Sequence, residues 1–226
     1  MTDTTTWSSV DQYLESKLHP SDAALDATQA AGAAAGLPPI AVSPLQGRFL
    51  ELIARSIGAR NILEIGTLGG YSTIFLARSV SPGGRVITLE YDSRHAEIAR
   101  SSIAAAGLSD IVDIRVGRAL DLLPEIVPVI NDDGTGLFDF VFIDADKASN
   151  ADYLDWAIRL AHPGTVIFVD NVVRSGGVAD ANKTSADVQG NRRMFDLLQS
   201  DDRVVATAIQ TVGSKGYDGF VYALVR

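Results

Sequence analysis

Two apolar segments of the sequence end abruptly on side chains that carry oxygen. The first segment ends on Asp144, and the second ends on Asp170, which is followed directly by Asn171. Runs of this kind are typical of buried parallel strands, and open α/β sheets bind ligands at the carboxyl ends of such strands. Three oxygen donors at one sheet edge suit Mg²⁺ or a similar hard cation, and Lys147 lies one turn away. The pattern therefore predicts a metal-assisted enzyme.

Each of these four residues also has an ordinary structural interpretation. Asp144 and Asp170 are well placed to cap the helices that follow their strands, which is a common role for aspartate. Asn171 alone is more often a turn residue, and Lys147 alone is usually solvated. Their joint occurrence favours the metal site.

Strands and helices alternate along the middle of the chain. We predict strands at 61–66, 85–90, 112–117, 138–144 and 165–170, with helical stretches near 71–80, 93–106, 118–127 and 150–161. This alternation implies right-handed crossovers and a parallel sheet.

Two further strands close the chain with no room for a helix between them. They are expected at 203–211 and 218–226, and so short a connection requires an antiparallel hairpin. The predicted fold class is α/β, a Rossmann-like doubly wound sheet of seven strands, five parallel plus a C-terminal antiparallel hairpin, with extra N-terminal helices. This layout differs from that of the usual dinucleotide dehydrogenase and matches the methyltransferase variant of the fold.

We expect all 226 residues to form a single domain. Residues 1–57 would be an N-terminal helical cap, with helices near 21–36 and 43–57, and residues 58–226 the Rossmann-like core.

A polar segment rich in Gly and Ser follows the proposed metal ligands. At 174–190 it is too long for an ordinary tight turn, so we expect a mobile lid or a loop that recognises the acceptor substrate. The alternative is a surface loop without such a role.

A glycine-rich turn follows the first predicted core strand. Gly66 begins a GxxGG pattern rather than the GxGxxG of dinucleotide-binding proteins, and glycines there let the backbone approach a ligand closely. Glu90 ends the next strand about 20 residues later, where a carboxylate can accept both ribose hydroxyls. Either feature alone fits an ordinary bend or an exposed acid. Together they predict an adenosine-type pocket without separating NAD from S-adenosylmethionine.

Glu64 lies within an otherwise apolar strand, where a carboxylate is costly unless something compensates it. We expect the compensation to come from a cationic ligand tail, such as the amino group of a methionyl moiety.

Composition excludes several classes of protein. The net charge of −9 and pI near 4.7 argue against a nucleic-acid partner, and with no cysteine any metal must have oxygen or histidine ligands. The sequence shows no signal peptide and no apolar run of membrane-spanning length, so we expect no membrane association and a cytoplasmic location.

With these residues in hand, the chain resembles the cation-dependent class I S-adenosylmethionine O-methyltransferases, the catechol and caffeoyl-CoA O-methyltransferase-like family, and most of all its small bacterial members. The most specific segments are EIGTLGGYS, FIDADK and VDNVV. The resemblance implies Lys147 and Asp144 as catalytic residues, with Lys147 the general base. It implies Asp144, Asp170 and Asn171 as metal ligands. The cofactor-binding residues it implies are Val42, Glu64, Gly66, Thr67, Tyr71, Ser72, Glu90, Gly117, Ala119 and Asp144.

The implied reaction transfers a methyl group from S-adenosyl-L-methionine to a hydroxyl of a catechol-type (vicinal diphenol) small molecule. The metal would be Mg²⁺, or Mn²⁺ or Ca²⁺ in its place, and the resemblance also implies a homodimer. Asp146 departs from the animal catechol enzymes, which have a tryptophan against the adenine, and so does the segment 118–120.

Three other functions remain open from the sequence. An NAD-type oxidoreductase would use the same glycine turn, but the GxxGG pattern and the closing hairpin argue against it. A nucleic-acid methyltransferase is disfavoured by the acidic charge. A non-catalytic adenosine-binding module would bind the cofactor without turnover.

Overall fold

The structure is a computed structural model and describes residues 4–19, 21–126 and 137–226. The helices in these ranges are α1 (Thr4–Leu18), α2 (Ala23–Ala34), α3 (Pro44–Ser56), α4 (Tyr71–Ser79), α5 (Ser93–Ala105), α6 (Ala119–Ile126), α7 (Asn150–Arg159) and α8 (Ala186–Ser200). The strands are β1 (Asn61–Ile65), β2 (Arg85–Glu90), β3 (Val112–Val116), β4 (Phe138–Ile143), β5 (Ala161–Asp170), β6 (Val204–Gly213) and β7 (Gly216–Val225). Short 3-10 turns occupy Lys147–Ser149 and Gly177–Ala179.

The strands form one sheet in the order β3-β2-β1-β4-β5-β7-β6. Strands β1 to β5 pair in parallel, whereas β7 runs antiparallel to both β5 and β6. The predicted fold class is therefore confirmed. Strands β6 and β7 pair up to Gly213 and Gly216, so their turn is tighter than the predicted connection at 212–217. A connection this short has no room for the crossover that a parallel pair needs.

The central strands are buried on both faces, which explains their mainly apolar sequences. Leu63, Val141 and Ile167 belong to one core cluster, whereas Ile62 and Phe140 belong to the cluster on the other face. A strand covered by helices on both sides cannot alternate with polar residues.

The parallel register brings four strand ends to one edge of the sheet. Ile65 pairs with both Leu89 and Ile143, and Ile143 pairs with Val169. Glu90 and Asp170 are the last residues of β2 and β5, and Gly66 and Asp144 directly follow β1 and β4. These four residues therefore lie side by side.

Several element boundaries differ from the sequence prediction. Strand β5 begins at Ala161 rather than at residue 165. Its Pro163-Gly164 pair resembles a turn, but β4 and β5 accommodate a register shift there, where the Thr165 hydroxyl donates to the Phe138 carbonyl at 2.6 Å. Helix α1 was not located from the sequence. The predicted helix at 118–127 appears as α6, and its residue 127 lies outside the described residues.

The predicted loop at 174–190 is shorter than expected, because its last five residues form the first turn of α8. The rest of the loop is tethered by the Arg192 guanidinium, which donates to the carbonyls of Gly177, Val178, Asp180 and Lys183.

Helix α3 begins with the cap expected from its sequence. The Ser43 hydroxyl accepts a hydrogen bond from the Gln46 backbone N–H at 3.2 Å, and Pro44 occupies the first turn. No helix in the described ranges is long and apolar enough to span a membrane.

Gly190 provides a test of how tightly α8 packs against the segment that carries Lys147. At an exposed position inside a helix, a Gly→Ala substitution raises the free energy of unfolding by about 1 kcal/mol. A Cβ added at Gly190 would instead lie 2.6 Å from the Ala148 carbonyl oxygen and closer still to that of Lys147. We therefore expect Gly190→Ala to lower the free energy of unfolding by about 1–3 kcal/mol, as overpacking does.

Urea unfolding of Gly190→Ala and of a matched control, Gly32→Ala in α2, measures this effect. The nearest heavy atom to a Cβ at Gly32 is Leu37 Cδ2 at 3.8 Å, so the control should be neutral or slightly stabilising. Equal stability changes in the two variants would contradict the packing argument.

Candidate active site

A cavity of about 740 Å³ opens at the edge of the sheet where the four strand ends meet. This volume is in the usual range for small-molecule sites. Its walls come from the turns after β1 to β5 and from the segment before α3. Among the predicted site residues, the cavity is lined by Val42, Gly66, Thr67, Tyr71, Ser72, Glu90, Gly117, Ala119, Asp144, Lys147 and Asn171. Glu64 and Asp170 are buried and do not line it.

Gly66 occupies a position where the backbones of β1 and β4 nearly touch. Its φ is 104°, and an added Cβ would lie 2.8 Å from the Asp144 carbonyl carbon. Gly70, with a φ of 85°, then begins α4. Only glycine suits both the conformation and the space at Gly66, which explains the glycines in the sequence pattern.

Glu90 holds the glycine turn in place through its carboxylate. Oε2 accepts hydrogen bonds from the backbone N–H groups of Thr67 at 3.2 Å and Leu68 at 2.7 Å, and Oε1 accepts one from Asp92 at 2.9 Å. A carboxylate offers about four acceptor positions, so only limited capacity remains for a ribose. The sequence predicted only a contact with a ribose for Glu90, because two of these three backbone donors come from a different segment of the chain.

His95 also lines the cavity, although no site role was predicted for it from the sequence. Its Nδ1 lies 3.6 Å from Glu90 Oε1. The position of His95 in the first turn of the helix after Glu90 is the sequence feature that could have indicated its place in the cavity wall.

Glu64 is fully buried, and three side chains of the protein compensate part of the cost. Its carboxylate accepts hydrogen bonds from the hydroxyls of Ser72 at 2.6 Å, Thr73 at 2.5 Å and Thr88 at 2.7 Å. These donors were not anticipated from the sequence, where a cationic ligand tail was expected to compensate the carboxylate. Burial nevertheless raises the pKa of Glu64 to about 7, because the hydroxyls offset only part of the lost hydration.

Asp144, Lys147, Asp170 and Asn171 lie together at the acidic end of the cavity. The Lys147 ammonium donates a hydrogen bond to Asp144 Oδ1, and Asn171 lies on the same wall. Asp170 is just behind the wall, with 7% of its surface exposed. Asn171 has a φ of 57°, a left-handed conformation that asparagine tolerates better than most residues.

The electrostatics of this end favour a cation. Burial raises the pKa of Asp144, although Lys147 opposes the shift. Burial, followed by the charge of Asp144, raises the pKa of Asp170 to about 7. A cation bound beside these two carboxylates would stabilise their charged forms. Oxygen donors of this kind suit a hard divalent ion.

The described residues contain no cluster of three or more His, Cys, Asp or Glu side chains arranged to hold a metal. The predicted set does not depend on such a cluster, because it comprises two carboxylates and the amide of Asn171. This donor set therefore fits a divalent ion.

Two other residues of the cavity wall were not assigned to the site from the sequence. Tyr153 is buried yet lines the cavity and donates its hydroxyl to Asp146. Arg174, in a left-handed conformation with φ of 52°, pairs with Asp187 at 2.9 Å, and both line the cavity. The Asp218 carboxylate accepts from the Arg174 backbone N–H at 3.0 Å and supports this conformation. Helical position alone could not separate a wall residue from a core residue.

Comparison with known proteins identifies the family of this chain. The O-methyltransferase family model matches residues 17–221, so the chain belongs to that family. The catechol O-methyltransferase of Mycobacterium tuberculosis is 54% identical over 217 residues, which are 96% of this chain and 95% of the relative. The catechol O-methyltransferase of Niastella koreensis is 50% identical over 218 residues, 96% of this chain and 97% of the relative.

Solved structures agree with this family. The O-methyltransferase of Bacillus cereus in complex with SAH has a TM-score of 0.95 and 54% identity, covering 99% of this chain and all of its own. TomG of Streptomyces achromogenes, an O-methyltransferase in complex with SAM, has a TM-score of 0.92 and 48% identity, covering 100% of this chain and 99% of its own. The fold of the chain is therefore shared with methyltransferases over its full length.

The buried Glu64 makes a prediction about stability and pH. Its pKa is raised from 4.5 to about 7 in the folded protein. Between these values the folded state binds the proton and the unfolded state does not, so this group makes the protein less stable as the pH rises. A Glu64→Gln variant lacks the titration, and its stability relative to the wild type should increase by about 3 kcal/mol from about pH 4.5 to about pH 8.

Urea unfolding of both proteins across this pH range measures the difference. The loss of one acceptor in Glu64→Gln adds an offset that does not depend on pH, so the slope isolates the titration. Parallel stability profiles for the two proteins would contradict a raised pKa.

Proposed function

We propose that the chain is an S-adenosylmethionine-dependent, divalent-metal-dependent O-methyltransferase that methylates a hydroxyl of a catechol-type small molecule. The observation that carries the proposal is the juxtaposition of two sets of residues in one cavity. The glycine turn and Glu90 form one part, and Asp144, Lys147 and Asn171 form the other. Two relatives with at least half of their residues identical are named catechol O-methyltransferases, which supports this acceptor class.

The cofactor would occupy the part of the cavity bounded by the turns after β1, β2 and β3. Gly66 lets the backbone approach the ligand, and the remaining acceptor capacity of Glu90 would bind a ribose hydroxyl. Gly117 and Ala119 line the wall after β3, where the base would lie. Val42 would cover the cofactor from the segment before α3.

The metal ligands would be Asp144, Asp170 and Asn171. A divalent ion bound there would lower the pKa of a coordinated catechol hydroxyl and orient its oxygen toward the methyl donor. One neutral and two charged oxygen donors are too few to fill the coordination of Mg²⁺, so positions would stay open for a chelating diphenol.

Lys147 is the proposed general base. In its neutral form, Nζ would accept the proton of the acceptor hydroxyl. Asp144 would then stabilise the resulting ammonium through the hydrogen bond that joins the two side chains. The acceptor oxygen would form a bond to the methyl carbon as the carbon–sulfur bond breaks. The electron pair of the carbon–sulfur bond would stay on sulfur.

The ligand set predicts a metal-dependent reaction. We expect Asp144→Asn and Asp170→Asn each to lower methylation of caffeate by about 100-fold or more, because loss of outer-shell partners alone typically costs 10–100-fold. Removal of metal with EDTA should abolish turnover, and added Mg²⁺ should restore it. Methyl transfer from radiolabelled S-adenosylmethionine measures both effects.

Asp196→Asn is the matched control, because Asp196 is an exposed aspartate of α8 outside the cavity. It should keep full activity. Undiminished turnover in EDTA, or in Asp144→Asn, would refute the metal-dependent mechanism.

We also propose a homodimer formed through the β6 edge of the sheet. This edge strand exposes Val205 (49%), Ile209 (49%) and Val212 (53%), and helix α1 beside it exposes Tyr13 (63%) and Leu18 (64%). The Asp11 carboxylate of α1 accepts from the Ser214 backbone N–H at 2.6 Å, which keeps the helix next to the hairpin. A long apolar edge strand tends to pair with another chain unless it is covered.

The proposed interface predicts a change in oligomeric state. Ile209→Glu should convert the dimer to a monomer, because it places charge in the apolar contact. Val116→Glu alters an exposed apolar residue of β3, at the opposite edge of the same sheet, and should leave the dimer intact. Sedimentation velocity distinguishes these outcomes. A monomeric wild type at micromolar concentration would contradict the proposal.

A further inference from the structure

One side chain of the N-terminal helices reaches the proposed metal site. Gln46 Nε2 donates a hydrogen bond to Asp170 Oδ2 at 2.7 Å, across a separation of 124 residues in the sequence. We propose that Gln46 is a positioning residue that orients the Asp170 carboxylate for the divalent cation. This inference rests on the proposed function and assigns a further residue to the same site.

The backbone of Gln46 is held at a fixed place in the fold. Its N–H is bonded to the Ser43 cap, and Gly47 follows it directly. A Cβ added at Gly47 would lie 2.5 Å from Phe75 Cδ2, so α3 and α4 approach as closely as a glycine allows. Helix α4 in turn begins at the glycine turn of the cavity. The side chain of Gln46 therefore extends from a backbone position that is fixed close to the site.

Asp170 needs a partner that does not cancel its charge. Its carboxylate is nearly fully buried, and the Lys147 ammonium bonds to Asp144 rather than to Asp170. An arginine or lysine in place of Gln46 would neutralise the charge that a cation requires. The neutral amide instead fixes the orientation of the carboxylate and leaves its negative charge available.

The hydrogen-bond capacity of Asp170 also leaves room for a metal. The Gln46 amide and the Asn171 backbone N–H both donate hydrogen bonds to the Asp170 carboxylate. Of the roughly four acceptor positions of a carboxylate, these donors occupy about two. The others stay free for coordination.

Metal binding by the purified full-length chain tests the assignment without reference to activity. Titration calorimetry with Mn²⁺ would be performed on the wild type, Gln46→Met and Gln46→Ala. Methionine keeps the length and helix preference of glutamine but has no N–H to donate. We expect both variants to raise the Mn²⁺ dissociation constant about 10-fold or more, the usual effect of removing an outer-shell partner.

Two controls separate positioning from general damage. Gln199→Ala removes an exposed glutamine of α8 and should bind Mn²⁺ as the wild type does. The dissociation constant of S-adenosylhomocysteine should be unchanged in both Gln46 variants, because Gln46 does not line the cavity.

Three results would overturn the inference. Wild-type Mn²⁺ affinity in Gln46→Met would reject the role of the amide and leave the proposed function intact. Parallel loss of Mn²⁺ and S-adenosylhomocysteine affinity would show that Gln46 supports the whole pocket rather than Asp170. A wild type that binds S-adenosylhomocysteine but no Mn²⁺ would reject both this inference and the metal-dependent function.

Discussion

Four carboxylates are held out of water at one edge of the sheet, and the arrangement of the site follows from the cost of keeping them there. Glu64, Glu90 and Asp170 are buried, and Asp144 is mostly enclosed by the cavity wall. An unpaired buried carboxylate costs several kcal/mol or takes up a proton instead. Each of the four therefore needs partners within reach, and the nature of those partners separates structural acids from acids that remain available to ligands.

The hydrogen-bond acceptors of the two acids in β1 and β2, Glu64 and Glu90, are largely satisfied by the protein itself. Glu64 accepts three hydroxyl hydrogen bonds, and Glu90 accepts three from backbone N–H groups. They fix the glycine turn and the wall that a cofactor would contact. Asp144 and Asp170 are less completely satisfied, with Lys147 and Gln46 as their main side-chain donors. The sheet thus places a rigid wall next to an acidic wall that still has acceptor capacity.

The parallel topology makes this division possible. Strands β1 and β4 are neighbours in the sheet, with Ile65 paired with Ile143, although they lie far apart in the sequence. Close approach of the two strand ends depends on Gly66, whose missing side chain leaves space for the Asp144 carbonyl. Helix α3 contributes Gln46, whose amide donates a hydrogen bond to the Asp170 carboxylate, so this N-terminal helix directly contacts one of the four acids.

Apolar runs, the glycine pattern and the closing hairpin were sufficient to predict the sheet, its seven strands and most of the cavity wall, because burial on both faces and chain reversal leave a direct mark on local sequence. The predicted start of β5 was wrong, because a register shift accommodates its turn-like residues. The predicted end of the loop at 174–190 was also wrong, because its last, polar residues belong to α8. Only the tertiary structure decided what partners the acids have. Hydrogen bonds such as Gln46 to Asp170 join residues far apart in the chain, and no local pattern records which distant donor a buried carboxylate will meet.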